Sequence, residues 1–299
     1  MGGIERAWLS LDGLSVGDAF GQRFFIPTEE ALRRIARREL PETPWPYTDD
    51  TEMALSIVEL LQERGTIHQD DLAARFAWRM QFSRGYGQGA YALLEGIKQG
   101  LDWRILTRTS FRGMGSFGNG AAMRVAPLGA YFADAGLDVV VDEARRSAEI
   151  THAHPEGIAG GIAVAVAAAL AWQARESSEP LGSRWIEAVR DAVPAGYTRD
   201  TITEALTLPV EATVGEVAQA LGNGAAITAP DTVPLCLWVA ARAADDFAQA
   251  LWETVSALGD RDTTCAIVGG ILALKTGRAS IPEQWLRSRE KLPISPPGG

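Results

Sequence analysis

Two cysteines, three histidines and no block of basic residues occur in 299 positions, and each shortage closes a route. Cys236 and Cys265 stand far apart in apolar helical contexts, which argues against a disulfide scaffold and for buried thiols in a reducing compartment. With only His68, His152 and His154 available, a third nitrogen or sulfur ligand for zinc is hard to find. The 28 basic residues are outnumbered by 38 acidic ones, a net charge of −10 without a basic run. Such a surface does not grip nucleic-acid phosphates non-specifically. Period-2 alternation is also missing, so strands are not expected. The N-terminal MGGIERAWLSLDGL has neither a basic start nor a long apolar stretch. No secretory signal is therefore expected, and the chain reads as soluble and cytoplasmic. The longest uncharged run, residues 157–174, is borderline for a membrane span but dominated by Ala and Gly, which suits a buried central helix.

Helical periodicity fills most of the remainder. In TEMALSIVELLQER, residues 51–64, Met53, Ile57, Leu60 and Leu61 fall at helical spacing and Gly65 marks the stop. Further helices are predicted over 69–82, 87–100, 137–150, 157–176, 183–193, 214–221, 233–243, 245–258 and 263–276. Residues 22–47 carry Pro27, Pro41, Pro44 and Pro46 and read as an irregular segment that could serve as a lid. The end of the chain, 292–299, reads as a frayed tail. With 46% apolar residues, no shift in composition and no heptad seam, the expectation is one compact all-α domain over 1–299, acting as a monomer.

Two aspartate clusters each open a predicted helix. Tyr47-Thr48-Asp49-Asp50-Thr51 precedes one, and Gly259-Asp260-Arg261-Asp262-Thr263-Thr264 precedes the other. Taken singly, each is readily a capped helix start, with acids favoured by the helix dipole and an Asp–Arg pairing possible around Arg261. Taken together, they offer four carboxylates and several hydroxyls. Acids gathered this way repel unless a cation sits among them, and a hard, oxygen-liganded ion such as Mg²⁺ suits the donors.

A glycine-rich segment, GMGSFGNG at 113–120, precedes AAMRVAPLGAYF, where a helix is expected. Its unobstructed N–H groups suit a phosphate or a plain turn equally, and Phe117 can stack on a base or anchor the loop. Arg124 can face an anion or tie down a carboxylate. In THAHPE, residues 151–156, His152 reads as a substrate-orienting donor or as a helix cap. Gly17 and Gly21 suggest close helix packing, with Asp18 tied to a neighbouring backbone or, second, lying near a metal. The later Gly222-Asn223-Gly224 reads as a turn.

The strings GDAFG (17–21), YTDDT (47–51), GSFGNGAAMRVAP (115–127), THAHPEG (151–157) and GDRDTT (259–264), in this order, resemble the ADP-ribosylglycohydrolase family, which includes the ADP-ribosylarginine hydrolases and the dinitrogenase-reductase-activating glycohydrolase. The resemblance implies an all-α fold with two Mg²⁺ ions, for which Mn²⁺ can substitute, beside an ADP-ribose pocket. It implies metal ligands at Thr48, Asp49, Asp50, Asp260, Asp262 and Thr263. It places the diphosphate and distal ribose on Gly115, Ser116, Phe117, Gly118, Asn119 and Gly120, with His152 near the substrate. Asp49, Asp50 and Asp262 would carry the chemistry, either of the first two serving as base.

Two departures from the family pattern stand out. Arg261 separates the second pair of acids, where the family usually has threonine. The glutamate that some members place after GD-x-x-G is replaced by the run Gln22-Arg23-Phe24-Phe25, with Glu29 and Glu30 the nearest acids. That points to hydrolysis of ADP-ribosylated arginine in protein, using the cluster aspartates. The rivals are hydrolysis of a free ADP-ribose derivative such as O-acetyl-ADP-ribose, and a non-catalytic ADP-ribose binder or structural descendant like the jellyfish J1 crystallins.

Overall fold

Helical periodicity becomes helix almost wherever the sequence shows it. The computed structural model describes residues 1–209, 211–243 and 246–296. Within them the chain forms α1 (Gly3–Gln22), α2 (Thr28–Ala36), α3 (Asp49–Arg64), α4 (Gln69–Arg79), α5 (Gln88–Lys98) and α6 (Trp103–Gly113). There follow α7 (Gly120–Met123), α8 (Ala126–Tyr131), α9 (Leu137–Glu149), α10 (Pro155–Gln173), α11 (Gly182–Ala192) and α12 (Tyr197–Ala205). The last five are α13 (Val214–Leu221), α14 (Ala229–Arg242), α15 (Phe247–Ser256), α16 (Arg261–Thr276) and α17 (Glu283–Ser288). No strand occurs among the described residues, and the helices form one compact all-α domain. Asp245, expected to open a helix, and residues 297–299 of the expected frayed tail lie outside the described residues.

Glycine sets the central contact. Gly13, Gly17 and Gly21 lie one turn apart on α1, facing an antiparallel α16. A Cβ at these positions would sit 2.2, 2.1 and 2.2 Å from the carbonyl oxygens of Gly269, Cys265 and Arg261. Only glycine permits that approach, so the two backbones touch and their register is fixed. The consequence is functional: Asp18 on α1 and Asp262 on α16 come to the same end of the pair. Helix α1 showed little periodicity because nearly every residue from Arg6 to Gly21, except Asp12, is buried. A helix covered on all sides has no amphipathic signature.

Helix α10 is long and apolar enough to cross a membrane, but 78% of its most apolar window is buried inside the domain. It packs against α7, α8, α9, α14 and α16. Gly129 of α8 approaches so closely that a Cβ there would be 2.0 Å from the Ala165 carbonyl oxygen. The reading of 157–176 as a central core helix holds.

Two expectations change. Residues 22–47 are not an irregular lid. Pro27 precedes the first turn of α2, where a missing N–H does no harm. Both flanks of the segment are anchored: Phe24 and Trp45 are fully buried with Phe20, Trp252 and Trp285, and the Phe20 and Trp285 rings stack at 4.5 Å. Trp45 N also donates to Ser288 O at 2.7 Å, and Glu290 N to Trp45 O at 2.8 Å. The helix after the glycine-rich segment is likewise two short ones, α7 and α8. Pro127 cannot donate to the Met123 carbonyl, so the chain breaks at Arg124 and Val125 and restarts with the proline in its first turn.

Candidate active site

Helix α3 begins at Asp49 because Thr48, in an extended conformation, caps it. Thr48 Oγ1 accepts from Asp50 N at 3.4 Å. The N–H and hydroxyl donors of Thr48 and Thr51 go to Asp18, which is buried near the C-terminal end of α1. Asp18 accepts from Thr48 N (2.9 and 3.1 Å), Thr51 N (3.1 Å), Thr48 Oγ1 (2.9 Å) and Thr51 Oγ1 (2.5 Å). Because Asp18 meets the N–H groups, Asp49 and Asp50 are released from capping. Asp50 Oδ2 lies 2.8 Å from Thr48 Oγ1, whose single proton is thus claimed by two carboxylates. Asp50 Oδ1 is buried and has no hydrogen-bond partner among the described residues.

The second cluster is held from outside. Asp260 N donates to Asn223 O at 3.1 Å, and Asp260 Oδ2 accepts from Asn119 Nδ2 at 2.7 Å. Gly259 has φ +59° and lies so near Asn223 that a Cβ would be 2.2 Å from its carbonyl oxygen, so glycine is required there. The Gly222-Asn223-Gly224 segment, read as a turn, is a turn that cradles Asp260. Asp262 Oδ1 accepts from Thr263 N at 2.9 Å. Asp18, Asp50 and Asp262 each place an oxygen within 4.8 Å of the other two.

Among the described residues no basic side chain forms a salt bridge with these acids, although Arg124 lines the same cavity. Arg261 turns away: its guanidinium donates to Phe24 O and lies 5.0 Å from the Phe25 ring centre, and it pairs with no acid among the described residues. Burial pushes the Asp18 carboxyl up to about 6 despite its hydrogen bonds. Burial, reinforced by Asp18, pushes Asp49 up to about 7. Asp50 and Asp262 are raised well above the ordinary carboxylate range, first by burial and then by neighbouring acids. The all-oxygen donor set, the raised carboxyls and the unpartnered Asp50 Oδ1 fit a hard divalent cation.

Opposite the acids stands the glycine-rich wall. Gly115, with φ +75°, lies against Ala153 and His154, where a Cβ would be 2.7 Å from His154 N. The Phe117 ring tilts over His154 at 5.3 Å. Residues 117–119 are pinned to the 227–229 segment through Ala229 N to Phe117 O (3.1 Å) and Asn119 N to Ile227 O (3.3 Å). Asn119 therefore joins this wall to Asp260 of the acid wall.

His152 and His154 divide their roles. His154 caps α10, accepting from Glu156 N at 3.2 Å. His152 faces the cavity and is held neutral, pushed down to about 3 by burial and by Arg124. Arg124 neither grips an anion nor pairs with a carboxylate. It is fully buried, lies 4.6 Å from the Phe76 ring centre, and donates to Ser147 O and Thr151 Oγ1, each at 2.9 Å. Burial lowers it to about 9.

The two walls enclose a cavity of about 400 Å³. Of the sequence-predicted residues, Asp49, Asp50, Asp260, Asp262 and Thr263 line it on one side. Ser116, Phe117, Gly118, Asn119, Gly120 and His152 line it on the other. Thr48 lies beneath Asp50, and Gly115 packs behind the loop. Among the described residues, none of 22–46 lines the cavity. The sequence reading missed Phe111 and Ile227, both with positive φ, and Gly85, Gly87 and Gly89. The alternating glycines of Gly85-Tyr86-Gly87-Gln88-Gly89 were the available signal for the last of these. A larger cleft of about 580 Å³ lies elsewhere, lined by Glu52, Arg84 and Glu290, and contains neither acid cluster.

Comparison with known proteins agrees with this geometry. Residues 3–294 match the ADP-ribosylglycohydrolase family. ADP-ribosylhydrolase ARH3 of Homo sapiens is 31% identical over 322 residues, covering 94% of this chain and 88% of its own. The ADP-ribosyl-dinitrogen reductase glycohydrolase of Rhodospirillum rubrum is 28% identical over 293 residues, covering 94% and 89%. A solved structure described as an ADP-ribosylglycohydrolase-related protein complex superposes with a TM-score of 0.67 at 26% identity, covering 96% of this chain and 93% of that one. With a family match along nearly its whole length and both walls of the cavity in place, the chain belongs to the ADP-ribosylglycohydrolase family.

Proposed function

We propose that the protein is a Mg²⁺-dependent hydrolase that cleaves the glycosidic bond at C1″ of ADP-ribose, freeing ADP-ribose from modified arginine in protein. It would act as a cytoplasmic monomer using two ions, with Mn²⁺ able to replace Mg²⁺. The observation that carries this reading is the buried Asp50 Oδ1, which among the described residues has no hydrogen-bond partner and sits with carboxyls that form no salt bridge. Thr48, Asp49, Asp50, Asp260, Asp262 and Thr263 would hold the ions. Bound there, a hard cation supplies Lewis-acid polarisation and a template for ribose hydroxyls.

The chain's own groups then divide the work. The backbone N–H groups of residues 115–120 would hold the diphosphate, so binding energy remote from the reacting bond positions C1″. His152, neutral, would donate a hydrogen bond and orient the sugar or phosphate. Asp49 or Asp50 would take the proton of the attacking water as the C1″–N bond breaks and a C1″–O bond forms. The departing guanidine takes up a proton and leaves as guanidinium. Asp262 would fix the ribose side of the site.

One feature supports arginine as the target. Among the described residues, the carboxylates lining the cavity come only from the two aspartate clusters, none from the segment after Gly21. The test is a panel of ADP-ribosylated arginine peptide, ADP-ribosylated serine peptide and O-acetyl-ADP-ribose, each with Mg²⁺ and with EDTA. Release of ADP-ribose from the arginine peptide in Mg²⁺ alone is expected. Turnover of only the serine or acetyl substrate would move the leaving group. ADP-ribose binding without any release would make the chain a binder.

A further inference from the structure

The two ring nitrogens of His152 have different surroundings, and the difference originates outside the cavity. Nδ1 lies 2.7 Å from Thr151 Oγ1. Nε2 has no hydrogen-bond partner among the described residues and faces the loop, 3.5 Å from where a Cβ on Gly118 or Gly120 would stand. Thr151 Oγ1 also lies 2.9 Å from Arg124 Nη2. A guanidinium has only donors, so the Thr151 hydroxyl must accept from Arg124. Its own proton is then free for another acceptor. The choices are His152 Nδ1 at 2.7 Å and Ala148 O at 3.5 Å, and the shorter contact is the better hydrogen bond.

We propose that Arg124 and Thr151 are positioning residues that fix the His152 ring in its Nε2–H form, so that it presents a donor to acceptor oxygens of ADP-ribose in the cavity. The direction of donation runs outward from the buried cation: Arg124 to Thr151, Thr151 to Nδ1, and Nε2–H to the ligand. Arg124 itself is fixed by Ser147 O at 2.9 Å and by the Phe76 ring, while His152 N is bound to Ala148 O at 2.9 Å. Backbone and ring are thus both constrained before any ligand arrives. A reversed arrangement, with the proton on Nδ1, would turn an acceptor toward the ligand's phosphate and hydroxyl oxygens. Phosphate oxygens would then be repelled. The tautomer therefore decides whether this wall attracts or rejects the diphosphate. This inference rests on the reading of the cavity as an ADP-ribose site.

The test reads the tautomer directly and separately from activity. The full chain is labelled with ¹⁵N, and the His152 ring signals are identified by their loss in His152→Gln. The wild type is expected to show a protonated Nε2 and an unprotonated Nδ1. Thr151→Val removes the hydroxyl with little change in shape. It is expected to shift or mix the ring signals and to weaken ADP-ribose binding in Mg²⁺ about tenfold, the effect of one lost hydrogen bond. Thr151→Ser should restore both. A proton on Nδ1 in the wild type overturns the proposal, as do ring signals unmoved by Thr151→Val. If Thr151→Val does not fold, the wild-type spectrum alone still decides. If the wild type shows the expected tautomer but binds no ADP-ribose, the functional reading fails and the relay stands.

Discussion

The N-termini of α3 and α16 carry similar acids but are built in opposite ways. At α3 the order comes from inside: Thr48 caps the helix, and Asp18 from α1 collects the free N–H and hydroxyl donors. At α16 it is imposed from outside, by Asn119 on the glycine-rich wall and Asn223 on a distant turn. Asp260 has no side-chain capping bond to its own helix. The first terminus is therefore completed by its own cap and the packed helix α1, whereas the second is held only when the glycine-rich wall is in place. On the proposed function, that difference would couple the cation and substrate sites, because Asn119 of one wall bonds Asp260 of the other.

The largest expected effect comes from removing charge at the self-contained terminus. Asp50→Asn should lower hydrolysis by about 10²–10⁴-fold, the usual worth of a positioned proton acceptor. Melting temperature in EDTA should not fall, because the variant relieves repulsion among buried acids. Normal turnover by this variant would break the comparison at its strong end. Asn119→Ala addresses the other terminus. Loss of an outer partner of a ligand typically weakens metal binding about 10–100-fold, and calorimetry with Mg²⁺ should show a loss in that range. If Mg²⁺ affinity is unchanged, Asn119 does not join the walls.

A third variant tests what brings the termini together. Gly17→Ala puts a methyl group where 2.1 Å separates it from the Cys265 carbonyl oxygen. The helices must part, at a cost of about 1–3 kcal/mol or more, read as a lower denaturation midpoint. Cation affinity should drop as well, because Asp18 and Asp262 no longer share one end. The smallest effect is a pH dependence. In EDTA, Asp49 is raised to about 7 and Asp18 to about 6, so between roughly pH 4 and 7 the folded chain keeps protons that the unfolded chain has lost. These groups favour the fold below that window, and their contribution is lost as pH rises through it. The melting temperature of the chelated protein, compared at pH 5.5 and 7.5, should be relatively favoured at 5.5, and Mg²⁺ should raise it more at 7.5. Equal Mg²⁺ effects at both values would contradict the raised carboxyls.

Much of this was legible in the sequence where a signal is local. Helices α3, α4, α5, α9, α11, α13 and α15, both acid-bearing helix starts and the glycine-rich wall each occupy a short stretch with its own spacing or composition, whereas α6 and α12 were not read. What was hidden depended on distance or on burial. Helix α1 left no stripe because it is covered all round. The donors that Asp18 collects lie some thirty residues away in the chain, and nothing near Asp18 names them. The prolines of 22–47 suggested irregularity, whereas Pro27 starts a helix and Trp45 anchors the segment through aromatic partners far along the chain. Arg124 read as an anion ligand or a carboxylate partner and is neither, because sequence does not reveal which way a cation points.

The claim on which all of this depends is that the two termini form one cation centre. Calorimetric titration of Mg²⁺ into the wild type, Asp50→Asn and Asp262→Asn tests it most directly. Strong loss of binding in each single variant, with both folded, is the expected result. Undiminished Mg²⁺ binding after either substitution would mean that the clusters are two separate capped helices, and the proposed chemistry would fall with them.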